Sequence, residues 1–265
     1  MMNVSDMLDL ETFPLDQPDS PAYTHLVDSC VADLEKDGMF NLVGFLKLPA
    51  AQKAVSEISP IMQSRSFNHQ RKHNIYFQDS VPGLAADHPA LALQETKNHT
   101  VCADQITTGV VVQVYEFAPL RRFLADTMGK ASLYLMDDPL ARANVMAYRD
   151  GEALNWHFDR AEFTTTLLLQ ASDKGGDFEY AVDLRTDDDP NYDGVARLLE
   201  GDNDRVSFLE LSAGTLNVFK GKNTLHRVTP VQGDRERMIS VFSYYENPGV
   251  MFSDEERLGF YGRTA

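Results

Sequence analysis

Between Ala143 and Tyr245 the chain runs through a succession of short apolar stretches, each closed by a turn. Ala143 to Tyr148 is followed by Asp150-Gly151. Phe163 to Gln170 reads Phe-Thr-Thr-Thr-Leu-Leu-Leu-Gln, and Lys174-Gly175-Gly176 then turns the chain into Asp177-Phe178-Glu179-Tyr180. Ala213-Gly214 and Lys220-Gly221 bracket Thr215 to Phe219, and Gly233-Asp234 precedes Met238 to Tyr245. Short runs rich in β-branched and aromatic residues, bounded by glycine and aspartate, are strand signals. Many such strands in sequence suit two facing sheets closed as a jelly roll, also called a double-stranded β-helix.

The first half reads differently. Leu26, Val27, Val31 and Leu34 recur at helical spacing between Ser20 and the stop signal Gly38. Met39 to Leu48 suggests a short strand broken at Gly44, and a second helix is expected over Pro49 to Ser64. Ser66 to Ala86 is polar and reads as irregular. Further helices are expected over Ala90 to Asn98 and Leu120 to Met128. The resulting expectation is one α+β domain: residues 1–142 as mainly helical support, 143–247 as the jelly-roll core and 248–265 as a covering segment. The acidic stretch Asp183 to Asp204 interrupts the core, as a solvated insertion or a lid over a site.

With 265 residues and 43% apolar content the chain can bury a sizeable core. A formal net charge of −16 argues against nucleic acid or an anionic membrane as partner. No apolar run is long enough to span a bilayer and the N-terminus lacks a secretory pattern, so a cytoplasmic location is expected. Cys30 and Cys102 sit in unrelated contexts and read as free thiols.

Within the strand region, Asn155-Trp156-His157-Phe158-Asp159 places an imidazole and a carboxylate at alternate positions, where strand geometry turns both the same way. Thr224-Leu225-His226-Arg227-Val228 supplies a second imidazole from a distant strand. Two nitrogens and one carboxylate on one side of a metal, with the other side open, is the ligand set of non-haem Fe(II) oxygenases. A surface histidine beside an acid is the plainer alternative, and the strands around the motif weigh against it.

The order His-x-Asp, long gap, His, then Arg about ten residues later resembles the 2-oxoglutarate-dependent Fe(II) dioxygenase superfamily over Asn144 to Tyr245. Asn155 to Arg160, Arg185 to Gly194 and Gly259 to Thr264 resemble, more narrowly, the small oxygenases of free amino acids, a group that includes radical halogenases. The resemblance implies His157, Asp159 and His226 as metal ligands, Fe(II) as metal, and 2-oxoglutarate and O2 as cosubstrates, with succinate and CO2 released. It also implies an arginine for the distal carboxylate of 2-oxoglutarate. Arg235 and Arg237 share strand parity, and Arg237 is preferred because it lies further inside the strand. Tyr148, Asn144 and Thr166 are expected near the cosubstrate. Arg71, His73, Arg160, Glu179 and Phe260 are expected near a small-molecule substrate, an amino acid or its derivative, undergoing hydroxylation, desaturation or cyclisation. Related halogenases carry Gly or Ala where this chain has Asp159, so the resemblance implies oxygenation. A cupin-like enzyme of another divalent metal, or a metal-binding sensor, stands as the alternative.

Overall fold

The computed structural model describes residues 3–78 and 80–265. Eleven strands build two antiparallel sheets: β1 (Met39–Leu42), β2 (Phe67–His73), β3 (Gln94–Val101), β4 (Ala143–Tyr148), β5 (Leu154–His157), β6 (Thr164–Gln170), β7 (Phe178–Ala181), β8 (Ser207–Leu209), β9 (Leu216–Phe219), β10 (Leu225–Val228) and β11 (Arg237–Phe242). The larger sheet has the order β1-β9-β6-β11-β4-β3-β2, and the smaller has β8-β7-β10-β5. Together they form the jelly roll that the strand pattern predicts.

Strand alternation sets what each face of the larger sheet meets. Val145, Ala147, Leu167, Leu169, Val218, Met238 and Phe242 point outward into the main core, where the N-terminal helices cover them. Residues of opposite parity, among them Tyr148, Leu168 and Ile239, point toward the smaller sheet. The first covering helix, α1 (Pro21–Asp37), starts where the Ser20 hydroxyl accepts from the Tyr23 amide, and ends at Gly38 with φ 70°. The second, α2 (Leu48–Arg65), buries Ala50, Ala54, Ile58 and Met62, one residue per turn. Two shorter helices, α3 (Val110–Tyr115) and α4 (Ala118–Thr127), extend this layer.

Three strands of the larger sheet come from the first half of the chain, which is less purely helical than its sequence suggests. Phe67–His73 is an edge strand rather than irregular chain. Ala90 to Asn98 is not a helix: a short 3-10 turn at Pro89–Leu91 leads straight into β3. Both segments are charged and polar because one side of the hairpin faces water and the other faces a polar interior, so neither carries the apolar alternation of a strand over a greasy core.

The acidic insertion contains α5 (Tyr192–Leu199), whose Val195, Ala196 and Leu198 pack on the outer side of the smaller sheet against Trp156, Ala181 and Leu225. The C-terminal segment forms α6 (Asp254–Tyr261), opened by a Ser253/Glu256 capping box. Its Arg257 Nε lies 2.8 Å from Oδ2 of the fully buried Asp138, which fastens the helix to the body.

Candidate metal centre

His157 ends β5 and His226 lies in β10, and the two are direct partners across the antiparallel ladder. Directly opposed residues share a face, so both imidazoles project into the space between the sheets, with ring centroids 4.2 Å apart. Asp159 follows just beyond the end of β5, where its amide donates to the Gly221 carbonyl at 3.0 Å. That hydrogen bond turns the carboxylate back toward the histidines: Oδ1 is 3.4 Å from His157 Nε2 and Oδ2 is 3.4 Å from His226 Nε2. One ligand atom from each residue lies within 4.8 Å of the others, as a shared cation requires.

The remaining hydrogen bonds of the trio orient it. His157 Nδ1 is 2.8 Å from the Asn155 carbonyl and His226 Nδ1 is 2.9 Å from that of Thr224. A carbonyl only accepts, so each Nδ1 carries the proton and each Nε2 lone pair faces the centre, the usual arrangement around a metal-bound imidazole. The Thr164 hydroxyl donates to Asp159 Oδ2. Burial disfavours ionisation of Asp159, but positive charge at the centre outweighs it and holds the carboxyl well below its ordinary range: imidazolium protons in the metal-free trio, which a metal cation would replace. Burial, reinforced by His226, lowers His157, so its imidazole stays neutral. An anionic oxygen and a neutral imidazole are the forms in which these groups bind metal.

Gly221 makes this packing possible. A Cβ built there would collide with the Asp159 carboxylate and the Thr164 hydroxyl. Phe219 and Phe178 pack on the His226 ring at centroid distances of 4.8 and 5.6 Å and form an apolar wall behind it.

Arg237 opens β11 and is only 2% exposed, yet its Nη1 has no hydrogen-bond partner. Its guanidinium lies 5.9 Å from the ring centre of Tyr148, its direct partner on β4. Burial lowers its basicity without bringing it near neutrality. An unpaired buried cation costs several kcal/mol, and a carboxylate ligand removes that cost. Arg235, the other arginine of equal parity, is exposed. The donor set therefore fits both groups that the sequence implies: a divalent metal at the trio and a carboxylate at Arg237.

Among the other expected cosubstrate contacts, Tyr148 and Thr166 lie buried on the inner face, Tyr148 beside Arg237. Asn144 is also buried, and its amide already holds α6: Nδ2 donates to the Leu140 carbonyl at 2.6 Å, and Oδ1 accepts from the Tyr261 hydroxyl at 2.8 Å. Parity alone placed Asn144 with Tyr148 and could not reveal this partner from the C-terminal end. Thr164, one turn of alternation from Thr166, is the threonine that grips Asp159.

The expected substrate residues divide similarly. Glu179 is on the wrong face: it pairs with Arg227, which is directly opposite on β10, at 2.6 Å, and Arg227 covers Trp156 on the outer side. His73 is buried, but both ring nitrogens are engaged, Nδ1 with the Asn74 carbonyl at 3.0 Å and Nε2 with the Thr96 hydroxyl at 2.9 Å. It therefore has no free nitrogen for a substrate. Arg71 is exposed over Phe77, Arg160 is exposed and paired with Glu256 at 2.8 Å, and Phe260 stacks on Phe252 at a partly exposed position. Trp156 faces away from the trio. His69 and His99 are half-buried, and His99 Nε2 lies 3.2 Å from Glu152.

Two segments meet beside the trio. The Tyr76 hydroxyl donates to the Pro190 carbonyl at 2.7 Å, and its ring contacts Tyr192 and Phe158. Arg185, from the insertion, lies 3.9 Å from the centre of the Phe158 ring. Phe158 stands between the two ligands of the His-x-Asp motif, so the insertion is packed against the rim of the site.

The model of the family described as Halogenase D matches residues 85–251, more than half of the chain. No curated protein matches. Solved structures share the fold at low identity. A 2OG-Fe(II) oxygenase family oxidoreductase from Burkholderia pseudomallei aligns with TM-score 0.52 and 16% identity, covering 84% of this chain and 92% of that one. A prolyl-4-hydroxylase from Pseudomonas putida aligns with TM-score 0.52 and 14% identity, covering 82% and 97%. HygX from Streptomyces hygroscopicus, solved with nickel and 2-oxoglutarate bound, aligns with TM-score 0.55 and 11% identity, covering 82% and 85%.

Proposed function

Since the chain belongs to the Halogenase D family yet keeps a carboxylate, Asp159, between its two histidines, we propose that it is an Fe(II)- and 2-oxoglutarate-dependent oxygenase of a small molecule. The observation that carries this reading is the buried, unpaired guanidinium of Arg237 on the interior that also holds the trio. A cupin-like enzyme of another metal, or a sensor, has no use for that group. In this reading His157, Asp159 and His226 hold the iron, Arg237 takes the distal carboxylate of 2-oxoglutarate, and Tyr148 and Thr166 line the same cavity.

Iron with 2-oxoglutarate and O2 supplies oxidation of a C–H bond, releasing succinate and CO2. The chain supplies orientation and exclusion of water. The carbonyls of Asn155 and Thr224 hold the two imidazoles with their lone pairs inward, and Thr164 holds the carboxylate. The Phe178–Phe219 wall keeps the space behind His226 apolar. A free amino acid or its derivative is the substrate class, oxidised by hydroxylation, desaturation or cyclisation, as in natural-product biosynthesis. Arg71 and Arg160, exposed on segments flanking the site, are the arginines assigned to a substrate carboxylate, which on Arg160 would take the place of Glu256.

Aerobic incubation with 2-oxoglutarate and a panel of free amino acids tests the reading, with Fe(II) against Zn(II). Succinate and a product gaining one oxygen or losing two hydrogens should form with Fe(II) alone, and His226→Ala should abolish both. Equal turnover with Zn(II), or full turnover in His226→Ala, overturns it.

A further inference from the structure

His73 is the one buried histidine outside the trio, and its hydrogen bonds lead toward a ligand. The Asn74 carbonyl accepts from Nδ1 at 3.0 Å, which leaves Nε2 as an acceptor for the Thr96 hydroxyl at 2.9 Å. The Thr96 oxygen in turn accepts from the Asn155 amide at 3.1 Å, and the Asn155 carbonyl accepts from His157 Nδ1 at 2.8 Å. Thr96 is 2% exposed and His73 5% exposed, so water is kept from the His73–Thr96 end of this path. Every donor has one acceptor, which gives the hydroxyl of Thr96 a single orientation.

The need for such a path follows from where His157 sits. Strand β5 is an edge of the smaller sheet, paired on one side only, and its register with β10 shifts between His226 and Val228. An irregular edge strand is a poor platform for a metal ligand. Its free side is fastened to the larger sheet by β3: Lys97 donates to the Ala153 carbonyl at 3.0 Å, Asn155 Nδ2 to the Glu95 carbonyl, and the Asn155 amide to Thr96. His226, by contrast, lies on an inner strand paired on both sides.

We propose that Thr96 and His73 are positioning residues for the metal ligand His157, acting through the backbone of Asn155. This rests on the reading of the trio as a metal site and extends it to a hairpin that the ligand motif does not include. The Phe77 ring stacks on His73 at 4.5 Å with an interplanar angle of 18°, so the segment next to the insertion is joined to the same path.

The test uses the full chain, metal-free, titrated with Co(II) by calorimetry and visible spectroscopy, with no cosubstrate present. Thr96→Val keeps the volume and removes the hydroxyl, and Thr96→Ser keeps the hydroxyl. Thr96→Val should bind Co(II) roughly 10–100-fold more weakly, the usual effect of losing a partner behind a ligand, with an altered Co(II) spectrum. Thr96→Ser should restore affinity and spectrum toward wild type. His73→Phe, which retains the stack on Phe77, should weaken Co(II) in the same direction by less. Wild-type affinity and spectrum in both Thr96→Val and His73→Phe, or equal impairment in Thr96→Ser and Thr96→Val, overturns the proposal. Failure of the wild-type chain to bind Co(II) overturns the metal-site reading, and this inference with it. Co(II) binding by a chain that, loaded instead with Fe(II) under air, forms no succinate from 2-oxoglutarate overturns the oxygenase reading alone.

Discussion

The α-carbon of Gly221 lies against the carboxylate of Asp159, with room for hydrogen and nothing larger. The same residue's carbonyl accepts from the Asp159 amide, so one glycine fixes both the backbone and the side chain of the only acid in the trio.

Gly221→Ala should therefore displace the carboxylate or the Thr164 hydroxyl that holds it. A loss of roughly 10–100-fold in metal affinity is expected, as for other residues packed behind ligands. Metal titration of the variant, with a melting curve to verify folding, checks it. Unchanged affinity would show that the site relaxes around a methyl group.

Arg237→Ala should raise the 2-oxoglutarate concentration needed for half-maximal succinate formation. The loss of a buried charged pair is about 2–5 kcal/mol, roughly thirtyfold or more in binding. Arg235→Ala, at an exposed position, should leave it within about twofold, since surface charges contribute little. Steady-state titration of 2-oxoglutarate separates the two, and the reverse order would reassign the clamp.

Strand parity gave these arginines one description, whereas the fold separates them by burial: Arg237 is enclosed and Arg235 exposed. The limits of the sequence lie at such points. The trio was legible because His157 and Asp159 share parity and because apolar runs frame both motifs. The partners of Asn144 and Glu179 were not: Tyr261 and Arg227 come from elements whose positions only the folded chain reveals. Strands β2 and β3 escaped notice for a related reason. Their inward residues are His69, His73, Thr96 and Asn98, which line a polar interior and give no hydrophobic period. Gly221 carries no signal in the sequence beyond a turn, since its role is a contact made impossible by any other residue.

Asp159 also bears on the product. In the proposed reading Asp159 supplies a hard oxygen ligand at the position where the resemblance implies Gly or Ala in halogenases, so a halide would bind there only by displacing it. Turnover at high chloride should give oxygenated or dehydrogenated product only. A chlorine isotope pattern in the main product, read by mass spectrometry, would remove Asp159 from the ligand set.

The metal-free protein should lose stability as the pH falls below about 6.5. Burial lowers His69, His73 and His157, whereas the unfolded chain protonates these imidazoles at about pH 6.5. Below that value the unfolded state binds more protons, so stability declines with falling pH. The depressed carboxyls of Asp138 and Asp159 act in the same direction, but only at the lower pH where unfolded acids titrate. Melting temperatures between pH 7.5 and 5 should fall, and His69→Gln should flatten that fall. A flat wild-type profile across this window would contradict the burial argument.

The pairing of Met39–Leu42 with Leu216–Phe219 joins segments from opposite ends of the chain, and it sets a timetable for synthesis. While the ribosome is still making the middle of the protein, β1 has no neighbour, and the apolar run Thr164–Gln170 lacks both of its flanking strands, β9 and β11. Pairings so distant in sequence form slowly and leave unpaired strand edges exposed meanwhile. From the emergence of Thr164–Gln170 until Arg237–Phe242 follows, the nascent chain therefore exposes unpaired strand edges, and the larger sheet is complete only when its last strand, β11, leaves the exit tunnel.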